Sequence, residues 1–391
     1  MITELEVSHY KSIGDAKLKL DNINVFVGKN GSGKSNIVDS ISFLNDIVSE
    51  DIDYAITRRH GSDSVRQWTK FKPYNVSLQV RISNSDGYGL YKLTFSSSRN
   101  SYKIWEEVIE WHGKDMFNSG PFITNIIRDK SGNIGIISSY SDKDIDFDAI
   151  RSIKIDGSVS ILSSRIRELS KISWIVGSLI AELRSVATFS IFPNTIRAPQ
   201  VVSRARDLHH DGGNIASILK QLPADNRRKI IKALRVVMPQ LENVLVRSAA
   251  GYYVPVFSVR EDGQKGGHDL NMSQISDGTL RILGILTAFF QPHAPSKIII
   301  EEPEQMIHPA LLIVIRDAIV DFVSRNKNTQ VFVTTHSATF MDLFDISSVV
   351  AVEYNGSSTI CGPVSERQKK VVQSGLMTLG DVLLAEEIEI A

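Results

Sequence analysis

Gly28-Lys29-Asn30-Gly31-Ser32-Gly33-Lys34-Ser35 satisfies the pattern G-x-x-x-x-G-K-S and carries the strongest chemical signal in the chain. Glycines let successive backbone N–H groups curl around phosphate oxygens, and a helix starting behind them adds its positive end. In such a loop Lys34 reaches the β- and γ-phosphates of a nucleotide and the Ser35 hydroxyl ligates Mg²⁺. The plainer reading, a glycine turn that caps a helix, is disfavoured because a strand pattern precedes the loop and a helix pattern follows it. A second group lies far along the chain, where apolar Ile298-Ile299-Ile300 runs into Glu301-Glu302-Pro303-Glu304. A buried strand would deliver these acids beside the phosphate loop, Glu301 holding Mg²⁺ through water and Glu302 polarising an attacking water as general base. Two glutamates by themselves read as a solvated strand end. A third apolar run, Val331-Phe332-Val333-Thr334-Thr335, ends in His336, which would contact the γ-phosphate or the catalytic water. An isolated histidine is more often a satisfied structural one. The ordered set of three favours catalysis.

These groups need elements to position them. Residues 2–10 and 16–20 alternate around Gly14-Asp15 as a hairpin, and residues 23–27 form a strand into the loop. Residues 36–48 repeat apolar side chains at helical spacing: Ile37, Ile41, Leu44, Val48. Short alternating segments from about 76 to 138 predict an antiparallel meander. Residues 161–245 read as mainly helical, with candidates at 165–186, 214–222 and 224–237. Beyond 273 the pattern predicts a helix over 278–290, a strand over 297–300, a helix over 309–325 and a strand over 330–334. Residues 349–353 would add a last strand. Apolar strands joined by helices imply a parallel sheet buried on both faces. The expected organisation is a discontinuous α/β core from residues 1–50 and 273–391, a β-rich insertion over 51–160, and a helical lobe over 161–272.

The sequence resembles the ABC-type ATPase heads of structural-maintenance-of-chromosomes and RecF-like proteins, and is most similar to bacterial AAA-type ATPases related to OLD nucleases. Residues 5–41, with Lys11-Ser12, look like the amino terminus of that group. MSQISDGTLRIL (272–283) looks like a degenerate signature motif, EEPEQMIHP (301–309) like Walker B with the D-loop, and TTHS (334–337) like the switch histidine. FPNTIRAP (192–199) and DGGNIASIL (211–219) resemble linking segments. The resemblance implies a P-loop NTPase of ABC-head type, a mixed, partly parallel sheet with inserted meander and helical lobe. It implies that two subunits sandwich ATP and Mg²⁺, Gly28 to Asn36 of one facing Ser276 and Gly278 of the other. Alone, ISDG reads as an N-cap for the helix that follows. Three departures stand out: Asp277 where transporter signatures carry glycine, Glu301 where Walker B usually has aspartate, and His308 at the usual D-loop acid. OLD-type nucleases continue into a Toprim domain, for which the residues after His336, with Asp381, Glu386, Glu387 and Glu389, leave no room. The implied protein is an ATP-hydrolysing homodimeric switch for a separately encoded nuclease or toxin, plausibly in anti-phage defence. The alternatives are a RecF-like DNA-binding protein and an ATP-bound scaffold with little hydrolysis.

Composition narrows the partners. The 391 residues carry 44 Lys+Arg and 44 Asp+Glu, which excludes a uniformly basic DNA-coating protein. Any nucleic-acid site must be local, at Arg58-Arg59-His60, at Arg197 with Arg204 and Arg206, or along Arg227, Arg228, Lys229, Lys232 and Arg235. The last set lies on an amphipathic helix, where charges usually face solvent. Trp68, Trp105, Trp111 and Trp174 read as core or interface residues. One cysteine, Cys361, excludes a disulfide framework. The charged amino terminus and short apolar runs predict a cytoplasmic protein with no membrane partner.

Overall fold

A computed structural model of the chain describes all residues except 69–74, 99–100, 115–120, 140–150, 152–153, 163–175, 261–265, 326 and 386–387. Of the helix expected over 165–186, residues up to 175 lie outside the described residues, as do Trp174, Glu386 and Glu387; Gly177–Arg184 is helical and a strand begins at Val186. The parallel strands expected to hold the chemistry are β3 (Ile23–Val27), β14 (Lys297–Glu301) and β15 (Gln330–Thr335), joined by β9 (Val186–Phe189) and β16 (Val349–Tyr354). Their order is β16-β3-β15-β14-β9, all parallel. Burial on both faces follows from the sequence. In β14, Ile298 and Ile300 join one core cluster while Ile299 joins another, because successive side chains point to opposite faces. Helix α1 (Lys34–Ser49) fills the second cluster with Ile37, Ile41, Phe43, Leu44 and Ile47. The first cluster takes α3 (Asp277–Phe290) and α4 (Leu312–Arg325), with Ile230 and Leu234 of α2 (Ala224–Val237).

The meander continues the same sheet. Strands β4 (Val76–Ser83), β5 (Gly87–Ser98), β6 (Ser101–Lys114), β7 (Pro121–Arg128) and β8 (Ile134–Ser138) pair in sequence order and antiparallel. Strand β4 then pairs with β1 (Ile2–Tyr10), and β1 with β2 (Ile13–Lys19). Strand β17 (Thr359–Pro363) links β2 to β16, which completes a 13-stranded sheet.

The region 161–272 is less helical than its sequence suggests. It holds a second sheet of β10 (Gln200–Val201), β11 (Leu241–Ala249), β12 (Tyr252–Val259) and β13 (His268–Asn271). Strands β11 and β12 turn at Ala250 and Gly251, both at positive φ, and the outer half of β11 is mostly exposed, which blurs the alternation that would mark it. Trp111 is buried as expected, whereas Trp68 is 78% and Trp105 47% exposed. Among the described residues no helix is long and apolar enough to cross a membrane.

Candidate nucleotide-binding and catalytic site

Three adjacent parallel strands end at one place. Strand β3 runs into the glycine loop, β14 into Glu302, and β15 into His336. Carboxyl ends of parallel strands are where open α/β sheets bind ligands. The loop needs its glycines: Gly31 and Gly33 have φ of 79° and 100°, and a Cβ on Gly28 would lie 2.0 Å from the Val352 carbonyl oxygen. No side chain caps α1; the Asn36 and Ile37 N–H groups donate to the Gly33 carbonyl, and the positive end of the helix faces the loop.

Lys34 is buried, and its ammonium donates to the Gly28 and Lys29 carbonyls at 2.8 and 2.9 Å. Burial pulls its pKa below the ordinary lysine value, and the carboxylates of Glu302 and Glu304 oppose that shift. The Ser35 hydroxyl lies beside the Glu301 carboxyl. Burial pushes the Glu301 carboxyl above the ordinary glutamate value; the Ser35 hydroxyl pulls it down, and the charges of Asp39 and Glu302 add to the rise. A hydroxyl and a carboxylate in contact form a hard-oxygen pair of the kind that suits Mg²⁺. The residues therefore fit the ion.

Glu302 stands at a φ of 43°, outside the strand region. Its N–H donates to the Thr334 carbonyl at 2.9 Å, and its own carbonyl accepts from Arg281 Nη2 at 2.9 Å. Its carboxylate takes a hydrogen bond from Gln305 and lies 3.4 Å from His336 Nδ1. Thus Glu302 and His336, distant in sequence, meet.

A cleft of about 400 Å³ is lined by Ser12, Asn30, Gly31, Gly33, Lys34, Ser35, Asn36, Glu302 and Tyr354. Ser12 and Tyr354 also line a neighbouring cleft of about 720 Å³, with Lys11, Arg58, Arg59, His60, Arg66 and Trp68. On the His336 side a third cleft, of about 630 Å³, runs from Lys29 and Ser32 to Leu383 and Ile388.

Ser276 caps α3, its hydroxyl accepting from the Thr279 N–H at 3.2 Å. Gly278 packs on the loop after β14, since a Cβ there would lie 2.8 Å from the Met306 carbonyl. Neither lines the clefts beside the phosphate loop. His308 caps a short 3-10 turn, accepting from the Ala310 N–H through Nδ1.

Two site residues escaped the sequence reading. Thr359 is fully buried; its hydroxyl donates to the Ser32 carbonyl at 2.8 Å and sits 2.7 Å from that of Ser12, which accepts from Asn36 at 2.6 Å. No motif surrounds it. Arg281 is 3% exposed within an otherwise apolar stretch of α3 and also donates to the Ile191 carbonyl at 2.7 Å. It falls inside the quoted stretch 272–283, where a lone arginine among apolar positions was the signal.

Several basic candidates for nucleic acid are already paired with acids or carbonyls of this chain, Arg59 in the interior and others at the surface. Arg59 is 8% exposed and paired with Asp39 and Asp46. Arg58 pairs with Asp46, and Arg197 with Asp277. Arg227 and Arg235 donate to backbone carbonyls of Leu219, Leu241 and Val244. Lys229 pairs with Asp321 and Arg228 with Asp225.

Solved structures share this architecture. The chain matches an Smc head domain of Pyrococcus furiosus bound to the C-terminal domain of ScpA with a TM-score of 0.52 at 11% identity, covering 96% of this chain and 99% of that one. An SmcHead bound to the C-winged helix domain of ScpA gives 0.52 at 14% identity, covering 94% and 99%. The fold is that of an SMC/ABC ATPase head. Among curated proteins, RecF of Streptococcus agalactiae, a DNA replication and repair protein, is 27% identical over 88 residues, 22% of this chain and 21% of RecF. An ATP/GTP phosphatase of Helicobacter pylori is 36% identical over 76 residues, 19% of this chain and 20% of that protein. The matches thus span about a fifth of these relatives' length. The model of the family described as "AAA domain, putative AbiEii toxin, Type IV TA system" matches residues 23–342, and the chain belongs to that family of AAA-type ATPases.

Proposed function

We propose that the chain binds Mg·ATP at the phosphate loop, hydrolyses it, and uses the cycle to open and close a homodimer that controls a separately encoded effector. The observation that carries this reading is the convergence of Lys34, Ser35 with Glu301, and Glu302 with His336 at the tips of β3, β14 and β15. The β- and γ-phosphates lie in the cleft between Ser12, Lys34 and Glu302, with Lys34 exchanging its loop carbonyls for phosphate oxygens. The nucleoside extends away from Glu302 into the basic cleft that holds Trp68. Ser35 and Glu301 would hold Mg²⁺, which neutralises charge on the phosphate oxygens. Glu302 takes a proton from the attacking water, and His336 contacts the γ-phosphate. Gly28 to Asn36 hold the nucleotide in one copy, while Ser276 and Gly278 of a second copy offer N–H and hydroxyl donors from a helix N-terminus.

ATP turnover by the purified protein tests the claim. Glu302→Gln should lower it by about an order of magnitude or more and trap an ATP-bound dimer, visible by light scattering. Nucleotide binding without turnover in the wild type would reject hydrolysis and leave a nucleotide-bound scaffold. The effector, a nuclease or toxin in anti-phage defence, is tested by co-purification from the native operon. Recovery of neither would sink that part.

The similarity to RecF favours a second reading, ATP-dependent DNA binding. ATP-dependent gel shifts that collapse with salt would support it, since phosphate contacts release counterions. The internal pairing of Arg59, Arg197, Arg227 and Arg235 weighs against it.

A further inference from the structure

We propose that Glu304 is a positioning residue for hydrolysis, tying the loop that carries Glu302 to the switch loop and so aiming His336 at the nucleotide. This rests on the ATPase reading above.

Glu304 lies two residues beyond the assigned base, in a loop bent by positive φ at Glu302 and Met306. A solvated acid at a strand end would be exposed, yet its side chain is only 8% accessible. One oxygen, Oε1, receives the Thr335 hydroxyl at 2.7 Å and the His336 N–H at 3.1 Å, and lies 3.4 Å from His336 Nδ1. The other, Oε2, is buried with no hydrogen-bond partner among the described residues. Both hydrogen bonds to the carboxylate therefore come from the switch loop. The order propagates: Thr335 Oγ1 also accepts the Ser337 N–H at 3.0 Å, and the Ser337 hydroxyl accepts the Phe340 N–H at 3.2 Å, capping the next helix. Opposite, Arg281 of α3 holds the Glu302 carbonyl. The base and the histidine thus have separate braces, and the His336 ring stands 3.4 Å from each of the two carboxylates. With Glu304 gone, Glu302 is the one carboxylate left at that distance among the described residues.

The test compares Glu304→Ala, Glu304→Gln and His336→Ala in steady-state ATP turnover and in amide hydrogen exchange of the nucleotide-free protein. Misaiming a contacting group lowers the chemical step, so kcat of Glu304→Ala should fall roughly 10- to 100-fold with KM within about twofold. The glutamine oxygen accepts the same two bonds, so Glu304→Gln should recover most of that loss. If Glu304 acts through His336, adding Glu304→Ala to His336→Ala should cost little more, since residues acting as a unit are not additive. Additive losses, or wild-type kcat in Glu304→Ala, would overturn the proposal. Exchange needs no turnover: faster exchange of the His336 amide in Glu304→Ala supports the tie, and unchanged exchange overturns it. Absence of turnover in the wild type would reject the hydrolysis reading, with the exchange result still deciding whether Glu304 holds the switch loop.

Discussion

Lys34 spends its charge on two neutral carbonyls of its own loop, not on a carboxylate. An arriving phosphate displaces weak acceptors and gains a charge-assisted bond, so ground-state binding is inexpensive in electrostatic terms. Replacing Lys34 with Met should lower ATP affinity about 10- to 100-fold by calorimetric titration, the worth of one charged hydrogen bond, and leave the fold intact. Gly33 is less forgiving. Its φ of 100° disfavours any Cβ, and one placed there would lie 2.1 Å from the Thr359 hydroxyl oxygen. Gly33→Ala should cost at least about 1–2 kcal/mol in urea unfolding and also abolish nucleotide binding. Every member of the phosphate loop could be read from the chain because the pattern is local. Thr359 could not, since it reaches Ser32 from 327 positions away.

Elements fix the relation between these groups, and their ionic braces give it a pH dependence. Asp39 of α1 accepts from Tyr10 at 2.6 Å and pairs with Lys11 and Arg59. Burial raises its carboxyl, but hydrogen bonds and charge from Arg59, with the charge of Lys11, outweigh that and hold it below the ordinary aspartate value. A depressed folded pKa means the contribution is present above the unfolded value, about 3.9, and is lost as pH falls through the folded one. The urea midpoint should therefore drop below about pH 4, and less steeply in Asp39→Asn. Arg281→Met would strip the Ile191 and Glu302 carbonyls of a donor, at about 1–3 kcal/mol each when buried. The long helices and the parallel strands β3, β14, β15 and β16 were legible because their apolar spacing is regular, as in Ile37, Ile41 and Leu44, whereas the parallel strand β9 fell in a region read as helical. The β11–β12 hairpin was not, because half-exposed strands lose that alternation.

At the scale of the molecule, the charge balance is neutral and many of the basic candidates are paired, while Arg204, Arg206 and Lys232 stay exposed as scattered cations. DNA affinity should accordingly be weak, in the micromolar range or poorer at physiological salt, by fluorescence anisotropy. The meander, by contrast, belongs mechanically to the site, because its strands run through β1 and β2 into the sheet that carries the phosphate loop. Between β2 and β17 that sheet narrows to one register pair, Ile13 with Thr359. The sheet thus has two broad wings and an isthmus, and the residue at the isthmus is the one clamped to Ser32. A twist of the sheet at that pair would reach the loop through the Thr359 hydroxyl, against the resistance of α1, whose side chains join the core on both sides. Stiffening the loop with a ligand would, in return, restrict how the wings twist.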